Sequence, residues 1–319
     1  MIAVLGAFDG FHLGHRRLLD AARALAGDSD GRWAVITFTP HPATVLRVHG
    51  QPVLFVEEER DFLAHLLNIP SMIRIPFTRD VASMPPEAFL DMVGARFPID
   101  GIVTGVDFRF GRGREGDASF LGDYCRQRQW RFKALDSLIL NGAKVGSSSI
   151  RNHVLLGEMA QAKKLLGYPF FMGGRVIHGD GRGEGLGFPT ANIGYASTKV
   201  LPRRGVYGAS VFLDGRWWPG ALNIGSNPTF LKNGTVRVET YVVGYEGDLY
   251  DKKIRLFLEQ FIRDEERFPS SDELKARMAE DVRETAALFD RAMKDAPSLY
   301  EMLGRAIGSM EDDLPPVSG

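Results

Sequence analysis

A glycine-rich stretch near the middle of the chain could bind phosphate. Glycine occupies every second position from Gly179 to Gly187, and Gly179, Gly181 and Gly187 could aim successive backbone N–H groups at one anion. Thr190 and Asn192 follow, and their side chains offer two hard oxygen ligands suited to Mg²⁺. A flexible surface hairpin would show the same glycines, but it would not need the Phe-Pro-Thr-Ala-Asn sequence that comes next.

Two histidines near the N-terminus form a second candidate. His12 and His15 lie where a helix is expected to begin, and a helix start favours an anion. Two imidazoles on one face could donate to charge that develops in a displacement at an α-phosphorus. Zinc is a weaker alternative, because no Cys, Glu or third His nearby completes a ligand set. Two surface histidines are the plain alternative, and the preceding Phe-Asp-Gly favours the phosphate interpretation.

Charged residues follow another expected strand. Asp107 could orient a substrate hydroxyl or a phosphate together with Mg²⁺, although an aspartate at such a place is often only a cap. Arg109 lies near glycines and could pair with polyphosphate oxygens. For Arg112 and Arg114 a solvated basic loop is the preferred interpretation.

Three consecutive serines precede Ile150 and Arg151 at an expected helix start. The hydroxyls of Ser147, Ser148 and Ser149 could cap exposed backbone N–H groups. An anion could bind at the same helix start. Capping and phosphate binding therefore both stay open.

The first half alternates short β runs with helical stretches. Strands are predicted at 2–5, 33–38, 72–75, 101–104 and 131–135, and helices after Gly14 and at 58–67, 86–96 and 119–129. This alternation indicates an α/β domain with a parallel sheet covered on both faces. Ligands of such sheets bind at the carboxyl ends of the strands, where residues 6–15 and 105–111 would lie.

The second half changes character near Gly167. A helix predicted over 151–166 ends there and Pro169 follows, so a domain boundary is expected. Strands are predicted at 174–178, 206–213, 217–225, 235–243 and 253–261, with turns at 214–215, 233–234 and 246–248. Antiparallel strands of this size indicate a small β-barrel. A helix over 271–293, capped by Ser271, should close it.

The N-terminal blocks resemble the adenylyltransferase module of bacterial bifunctional riboflavin kinase/FAD synthetase. Residues 6–15 match its signature G-x-F-D-G-x-H-x-G-H, and the blocks at 37–42, 105–111 and 147–151 follow in the same order. The resemblance implies a Rossmann-like nucleotidyltransferase fold with catalytic His12, His15 and Asp107. It also implies ATP contacts from Gly6, Phe8, Gly14, Ser147, Ser148 and Arg151, and flavin contacts from Phe108 and Arg109.

The C-terminal half resembles the riboflavin kinase module of the same family. The matching blocks are 187–192, 205–207, 223–225 with 227–230, 238–241, 247–250 and 261–268. By this resemblance Thr190 and Asn192 bind Mg²⁺ and ATP, and Glu239 is the base that takes the proton from the ribityl 5′-hydroxyl. The implied flavin contacts are Phe188, Tyr207, Arg263 and Phe268.

Glu239 and the barrel aromatics also have plain structural interpretations. Glu239 lies in an alternating strand, where every second side chain is polar and faces solvent. Tyr207, Phe230, Tyr241 and Phe268 could sandwich an isoalloxazine, yet aromatic side chains in barrels more often belong to the core.

Composition limits the setting of this chemistry. The chain has 319 residues, 44% hydrophobic and 25% charged, with a formal net charge of −1, which is typical of a globular protein with two domains. No basic excess indicates nucleic acid. The single cysteine, Cys125, excludes a disulfide framework and suits a reducing cytoplasm. No signal peptide and no segment of transmembrane length are expected.

The sequence thus predicts a cytoplasmic enzyme that uses Mg²⁺ and ATP to convert riboflavin to FMN and FMN to FAD. The expected parts are a nucleotidyltransferase domain over 1–167, a kinase barrel over 168–307 and a disordered tail over 308–319. The alternatives are a kinase with an inactive N-terminal half, a flavin-binding protein without turnover, and an unrelated nucleotidyltransferase fused to a barrel. Neither nucleic acid nor membrane is an expected partner, and a homo-oligomer is left open.

Overall fold

The computed structural model describes residues 1–27, 31–46, 52–179, 187–226 and 236–312. The chain divides into two compact units, Met1–Ser149 and Ile150–Gly319. The residues between Ile150 and the boundary expected at Gly167 group with the second unit. Gly181, Phe230 and the turn expected at 233–234 lie outside the described residues.

A five-stranded sheet forms the centre of the first unit. Its strands are β1 (Ile2–Leu5), β2 (Trp33–Thr39), β3 (Met72–Pro76), β4 (Gly101–Gly105) and β5 (Arg131–Leu135). They pair in the order β3-β2-β1-β4-β5 and all pairs are parallel. The central strand β1 is buried along its whole length, as expected for a strand covered on both faces. The predicted parallel sheet is confirmed.

Helices connect these strands. They are α1 (Leu13–Gly27), α2 (Pro42–Val45), α3 (Glu57–Leu66), α4 (Arg79–Ser83), α5 (Pro86–Arg96) and α6 (Ala118–Gln127). Apolar side chains of α5 and α6 join those of the sheet in one core, which includes Ile36, Phe89, Ile102 and Leu121. This core fixes the sheet whose carboxyl edge carries the N-terminal candidate residues.

The segment between the sheet and the barrel differs from the sequence prediction. A hairpin of β6 (Ile139–Leu140) and β7 (Ala143–Lys144) precedes α7 (Ser147–Leu156) and α8 (Met159–Leu166). The prediction of one continuous helix over 151–166 was wrong. The helix breaks at Gly157, whose φ of 76° lies in the left-handed region that glycine adopts most readily.

The second unit contains a closed barrel of six strands. They are β8 (Phe171–Ile177), β9 (Ala191–Ile193), β10 (Gly205–Leu213), β11 (Arg216–Ser226), β12 (Val236–Val242) and β13 (Lys253–Arg263). The order around the barrel is β10-β11-β12-β9-β8-β13, and every pair is antiparallel. The predicted barrel is confirmed, and the three-residue β9 is the strand that the sequence did not predict.

Two helices follow the barrel. Helix α9 (Ser271–Asp295) begins after Ser270, whose hydroxyl accepts from the backbone N–H of Glu273 at 3.2 Å. The cap is therefore Ser270 and not Ser271. Helix α10 (Pro297–Asp312) runs past Gly308, where the sequence predicted that order ends. No helix within the described ranges is both long and apolar enough to cross a membrane.

Candidate functional site

Three polar residues form a row across neighbouring barrel strands. Glu239 on β12 is directly opposite Asn192 on β9 and directly opposite Asn223 on β11. Residues opposite each other in antiparallel strands project to the same face. Val238 and Thr240, the neighbours of Glu239 along the strand, are buried. Because successive side chains of a strand project to opposite faces, Glu239 lies on the face away from the barrel interior.

This face opens into a cavity of about 1110 Å³. Among the sequence-predicted residues, the cavity wall contains Phe188, Thr190, Glu239, Arg263 and Phe268. The structure thus brings the proposed base, one proposed metal ligand and three proposed flavin contacts to one cavity.

Helix α9 supplies an apolar wall that the sequence motifs did not reveal. Leu274, Met278 and Val282, spaced at about one helical turn, all line the cavity. Phe188 and Tyr241, which also line the cavity, form a T-shaped ring pair with centroids 5.5 Å apart and planes at 88°. A wall of apolar and aromatic side chains of this kind suits a planar heteroaromatic ligand. The helical periodicity of α9 was visible in the sequence, but it indicated only packing.

Arg263 is held at the cavity by a carboxylate. Its Nε donates to Asp281 Oδ1 at 2.9 Å and its Nη2 donates to Asp281 Oδ2 at 2.7 Å. The side chains are only 11% and 6% exposed, so the two-pronged pair is largely desolvated. The guanidinium also lies 5.8 Å from the ring centre of Phe268. Arg263 therefore fixes the segment after β13 against α9.

Tyr207 does not line this cavity. Its side chain is fully buried, and its hydroxyl donates to the carbonyl of Arg203 at 2.6 Å. The rings of Tyr207 and Phe261 form a T-shaped pair with centroids 5.2 Å apart. Burial raises the pKa of the Tyr207 hydroxyl. These contacts are those of a core residue and do not support the expected flavin contact.

The start of the glycine stretch packs directly on Asn192. A Cβ added at Gly179 would lie 2.0 Å from Asn192 Nδ2, so only glycine allows this approach. Gly187 has a φ of 81°. Within the described part of the chain no three His, Cys, Asp or Glu side chains cluster as a metal site. The donors that fit a divalent cation here are the hydroxyl of Thr190 and the amide oxygen of Asn192, which are hard ligands.

The histidine motif forms a tight, buried turn at the carboxyl end of β1. Phe8, Gly10 and Phe11 have φ angles of 50°, 102° and 37°, which are unfavourable for the two phenylalanines. Their rings stack at 5.4 Å. The Asp9 carboxylate accepts from the backbone N–H of Leu54 at 2.9 Å. Ring packing and hydrogen bonds therefore hold the turn in this unfavourable conformation. Turns of this kind are common at functional sites.

His12 and His15 stack face to face at the end of this turn. Their ring centroids are 3.6 Å apart and their planes differ by 16°. The backbone N–H of His15 donates to His12 Nδ1 at 3.3 Å, so the proton of a neutral His12 resides on Nε2. Burial lowers the pKa of His12 to about 4. Burial, and then repulsion from His12 and Arg60, holds the pKa of His15 well below its usual range.

Glycine permits close ring packing at two positions around this pair. A Cβ at Gly6 would lie 2.9 Å from the Phe8 ring. A Cβ at Gly14 would lie 3.1 Å from the His12 ring. Both glycines therefore serve the close packing of the turn.

The serine block meets the histidine turn. Ser147 Oγ donates to the carbonyl of Asp9 at 2.8 Å, while Ser148 is exposed. Ser149 Oγ donates to the carbonyl of Gly146 at 2.9 Å. Arg151, one turn into α7, is buried. Two motifs more than 130 positions apart in the sequence thus come together at one edge of the sheet.

The third N-terminal block is more exposed. The Asp107 carboxylate accepts from Lys144 Nζ at 2.5 Å and from the Ser137 hydroxyl, and these hydrogen bonds lower the pKa of Asp107. Arg109 donates to the carbonyl of Phe108 at 3.0 Å, and the Phe108 ring is stacked on Phe110 at 5.5 Å. Lys144 is a cation beside Asp107 that belongs to none of the sequence motifs.

A stacked histidine pair at the carboxyl end of a parallel sheet and a carboxylate opposite an amide on a closed barrel are two arrangements that suit phosphate chemistry. The family model described as FAD synthetase matches residues 1–149, and the one described as riboflavin kinase matches residues 166–289. The chain belongs to the family of bifunctional riboflavin kinase/FMN adenylyltransferases.

Curated relatives of that name cover nearly the whole chain. The protein from Listeria monocytogenes is 32% identical over 90% of this chain and 92% of its own length. The Bacillus subtilis protein is 30% identical, over 92% of this chain and 94% of its own. The Escherichia coli K12 protein is 32% identical, over 88% and 90%.

A solved structure shares the fold across both units. It is described as a macrolide-efflux protein from Streptococcus pneumoniae, is 27% identical and superposes with a TM-score of 0.80. The match covers 89% of this chain and 93% of that one.

Proposed function

We propose that this chain makes FAD from riboflavin in two ATP-dependent steps. The barrel transfers the γ-phosphate of ATP to riboflavin and gives FMN. The first unit then joins FMN to the AMP part of a second ATP and releases pyrophosphate. The observation that carries the proposal is the placement of Glu239 in one cavity with Thr190, beside Asn192, in a chain that also holds the stacked His12–His15 pair.

In the kinase step Glu239 accepts the proton of the ribityl 5′-hydroxyl. The freed oxygen attacks the γ-phosphorus, its O–P bond forms, and the bond from the γ-phosphorus to the ADP oxygen breaks. The apolar face of α9 and the Phe188–Tyr241 pair bind the isoalloxazine ring in the same cavity. The ribityl chain then reaches from this wall towards the row that contains Glu239.

Thr190 and Asn192 would hold the Mg²⁺ of this step. The close packing of Gly179 on the Asn192 amide supports this assignment. It holds the amide beside the start of the glycine stretch, to which we assign the polyphosphate. When bound, the ion supplies positive charge that stabilises the transferring phosphate. A partner set of one hydroxyl and one amide leaves room for phosphate oxygens and water, which Mg²⁺ prefers.

In the adenylyl transfer the FMN phosphate attacks the α-phosphorus of ATP and pyrophosphate leaves. His12 donates its Nε2 proton as a hydrogen bond to the phosphate oxygens, and the stacked His15 fixes its ring plane. Ser147 ties the start of α7 to the same turn, so that its helix N-terminus can face the phosphates. Asp107, which accepts hydrogen bonds from Lys144 and Ser137, is the residue of this unit that we assign to the second substrate.

The partners that follow are ATP, riboflavin and FMN, in the cytoplasm. The near-zero net charge supports small nucleotides over nucleic acid. The two chemical steps as assigned use residues of a single chain.

Chromatography of the products formed from riboflavin, ATP and MgCl₂ tests the proposal. FMN is expected first and FAD later, with FAD also formed when FMN is supplied. Accumulation of FMN alone would indicate the kinase-only alternative. Unchanged riboflavin would indicate a flavin-binding protein without turnover.

A further inference from the structure

Arg60 on α3 is a buried cation beside the histidine turn, and the sequence motifs do not include it. Its side chain is 2% exposed. Nη2 donates to Thr37 Oγ1 at 2.6 Å, and Nη1 donates to the carbonyl of Phe38 at 3.3 Å. Its Nε is buried without a hydrogen-bond partner among the residues that the structure describes. Burying a charge with an unpaired N–H is unfavourable, so stability alone is a poor reason for this arginine.

Thr37 connects Arg60 to the turn that carries the histidines. Thr37 Oγ1 accepts from Arg60 and donates to the carbonyl of Ala7 at 3.1 Å. Ala7 directly precedes Phe8, where the backbone enters its left-handed conformation. Asp9, two residues further on, is held from the other side by the backbone N–H groups of residues 54 and 55. The turn is thus anchored at both of its ends.

The charges around this anchor act on the histidine pair. Burial lowers the pKa of Arg60, which attraction to Asp9 opposes. Arg74 and Glu57 act on the guanidinium with opposite signs, and an arginine keeps its proton in such settings. At His15 the charge of Arg60 disfavours protonation, as does the neighbouring His12.

We propose that Arg60 is a positioning residue for the adenylyl transfer, which through Thr37 fixes the turn that presents His12 and His15 to the nucleotide. Its charge has a second consequence, because a neutral His15 leaves the stacked pair free of internal repulsion. The inference rests on the proposed function of the first unit. It adds to that function a residue without contact to the reacting atoms.

Two substitutions remove the hydrogen bonds of Arg60 while a positive charge remains at this position. Arg60→Lys keeps a cation but loses the two guanidinium hydrogen bonds, to Thr37 and to the carbonyl of Phe38. Thr37→Val keeps Arg60 but removes the hydroxyl that bonds both Arg60 and the carbonyl of Ala7. Each should lower kcat for FMN adenylylation by about 10- to 100-fold, with a smaller change in the KM for ATP, since misplacement of catalytic groups acts mainly on the chemical step. Riboflavin phosphorylation by the same full-length protein should be unchanged.

Arg131→Met is the matched control. Arg131 also donates to a carbonyl of the first unit, that of Leu25, at 2.8 Å. It lies at the amino end of β5, the opposite edge of the parallel sheet from the turn. This variant should adenylylate FMN at the wild-type rate.

NMR titration of ¹³C-labelled histidine measures the midpoint of His15 directly. A loss of packing alone, without loss of the Arg60 charge, would leave this midpoint unchanged. In Arg60→Met the titration midpoint of His15 should shift to higher pH, because the repelling charge is gone. The signals are assigned with His12→Gln and His15→Gln.

Two results would overturn the inference while wild-type protein makes FAD: wild-type adenylylation by both Arg60→Lys and Thr37→Val, or an unmoved His15 midpoint in Arg60→Met. Absence of FAD with the wild-type protein would instead contradict the proposed function itself.

Discussion

Asn192 and Glu239 are direct partners across the pairing of β9 with β12. Because both residues project to the same face of the barrel, one register sets the distance between the proposed metal ligand and the proposed base. A slip by one residue would turn Glu239 towards the barrel interior. The short strand β9 therefore matters more for the site than its three residues suggest.

Glu239→Gln should abolish FMN formation and leave the adenylylation of supplied FMN intact. The amide keeps the shape of the carboxylate but cannot accept the ribityl proton. Rates of both half-reactions measured on one preparation check this. Glu246→Gln, in an exposed turn, is the control and should keep both activities. An unimpaired kinase rate in Glu239→Gln would show that the base assignment is wrong.

Gly179→Ala should impair the kinase step selectively. The added methyl would meet Asn192 Nδ2 at 2.0 Å, so the amide must move away from the polyphosphate. We expect a raised KM for ATP together with a lower kcat, and a higher Mg²⁺ concentration for half-maximal rate. Gly308→Ala, a helical position with no atom within 4 Å of the added carbon, serves as control. Equal kinetics in the two variants would contradict the role given to Gly179.

Asp281→Asn should destabilise the barrel unit and raise the KM for riboflavin. Neutralising Asp281 leaves the buried Arg263 charge with only the longer pair to the more exposed Glu266, at 3.8 Å, and losing the buried partner costs about 3 kcal/mol. Urea unfolding, followed by hydrogen exchange in barrel peptides, measures the loss. The double variant Arg263→Met/Asp281→Leu should recover stability because neither charge remains. It should not recover riboflavin affinity, since the segment after β13 has lost its anchor.

Acidification should weaken the first unit. His12 has a folded pKa of about 4 against about 6.5 when unfolded, so the unfolded state binds more protons between these values. The unfolding free energy should therefore fall by about 3 kcal/mol as the pH drops from 6.5 towards 4. Hydrogen exchange of peptides from 1–149 in the full chain measures this. His12→Gln should flatten the dependence, and an unchanged slope in that variant would contradict the assignment.

Most of the fold could be predicted from periodicity. Strand β5 and helix α5 have the predicted bounds, because apolar spacing and a starting proline define them locally. The break at Gly157 was missed, since glycine inside a helical pattern does not reveal its φ. Strand β9 was missed because three residues carry too little pattern to identify a strand.

The sites were predictable in part, through their motifs. The family resemblance implied that residues near 12 and 147 contact the same nucleotide, and the Ser147–Asp9 hydrogen bond brings the two blocks together. Motifs could not reveal Arg60 or Asp281, because their importance comes from long-range pairing that leaves no local signal. Tyr207 lies in the core although it belongs to a matching block, which no local pattern could reveal.

The central claim is that each unit carries one half of the conversion, and a mixing experiment tests it most directly. Riboflavin, ATP and MgCl₂ are given to Glu239→Gln alone, to the double variant His12→Ala/His15→Ala alone, and to both together. We expect unchanged riboflavin from the first, FMN from the second, and FAD only from the mixture. FAD from either variant alone, or a mixture that stops at FMN while wild-type protein makes FAD, would contradict the account.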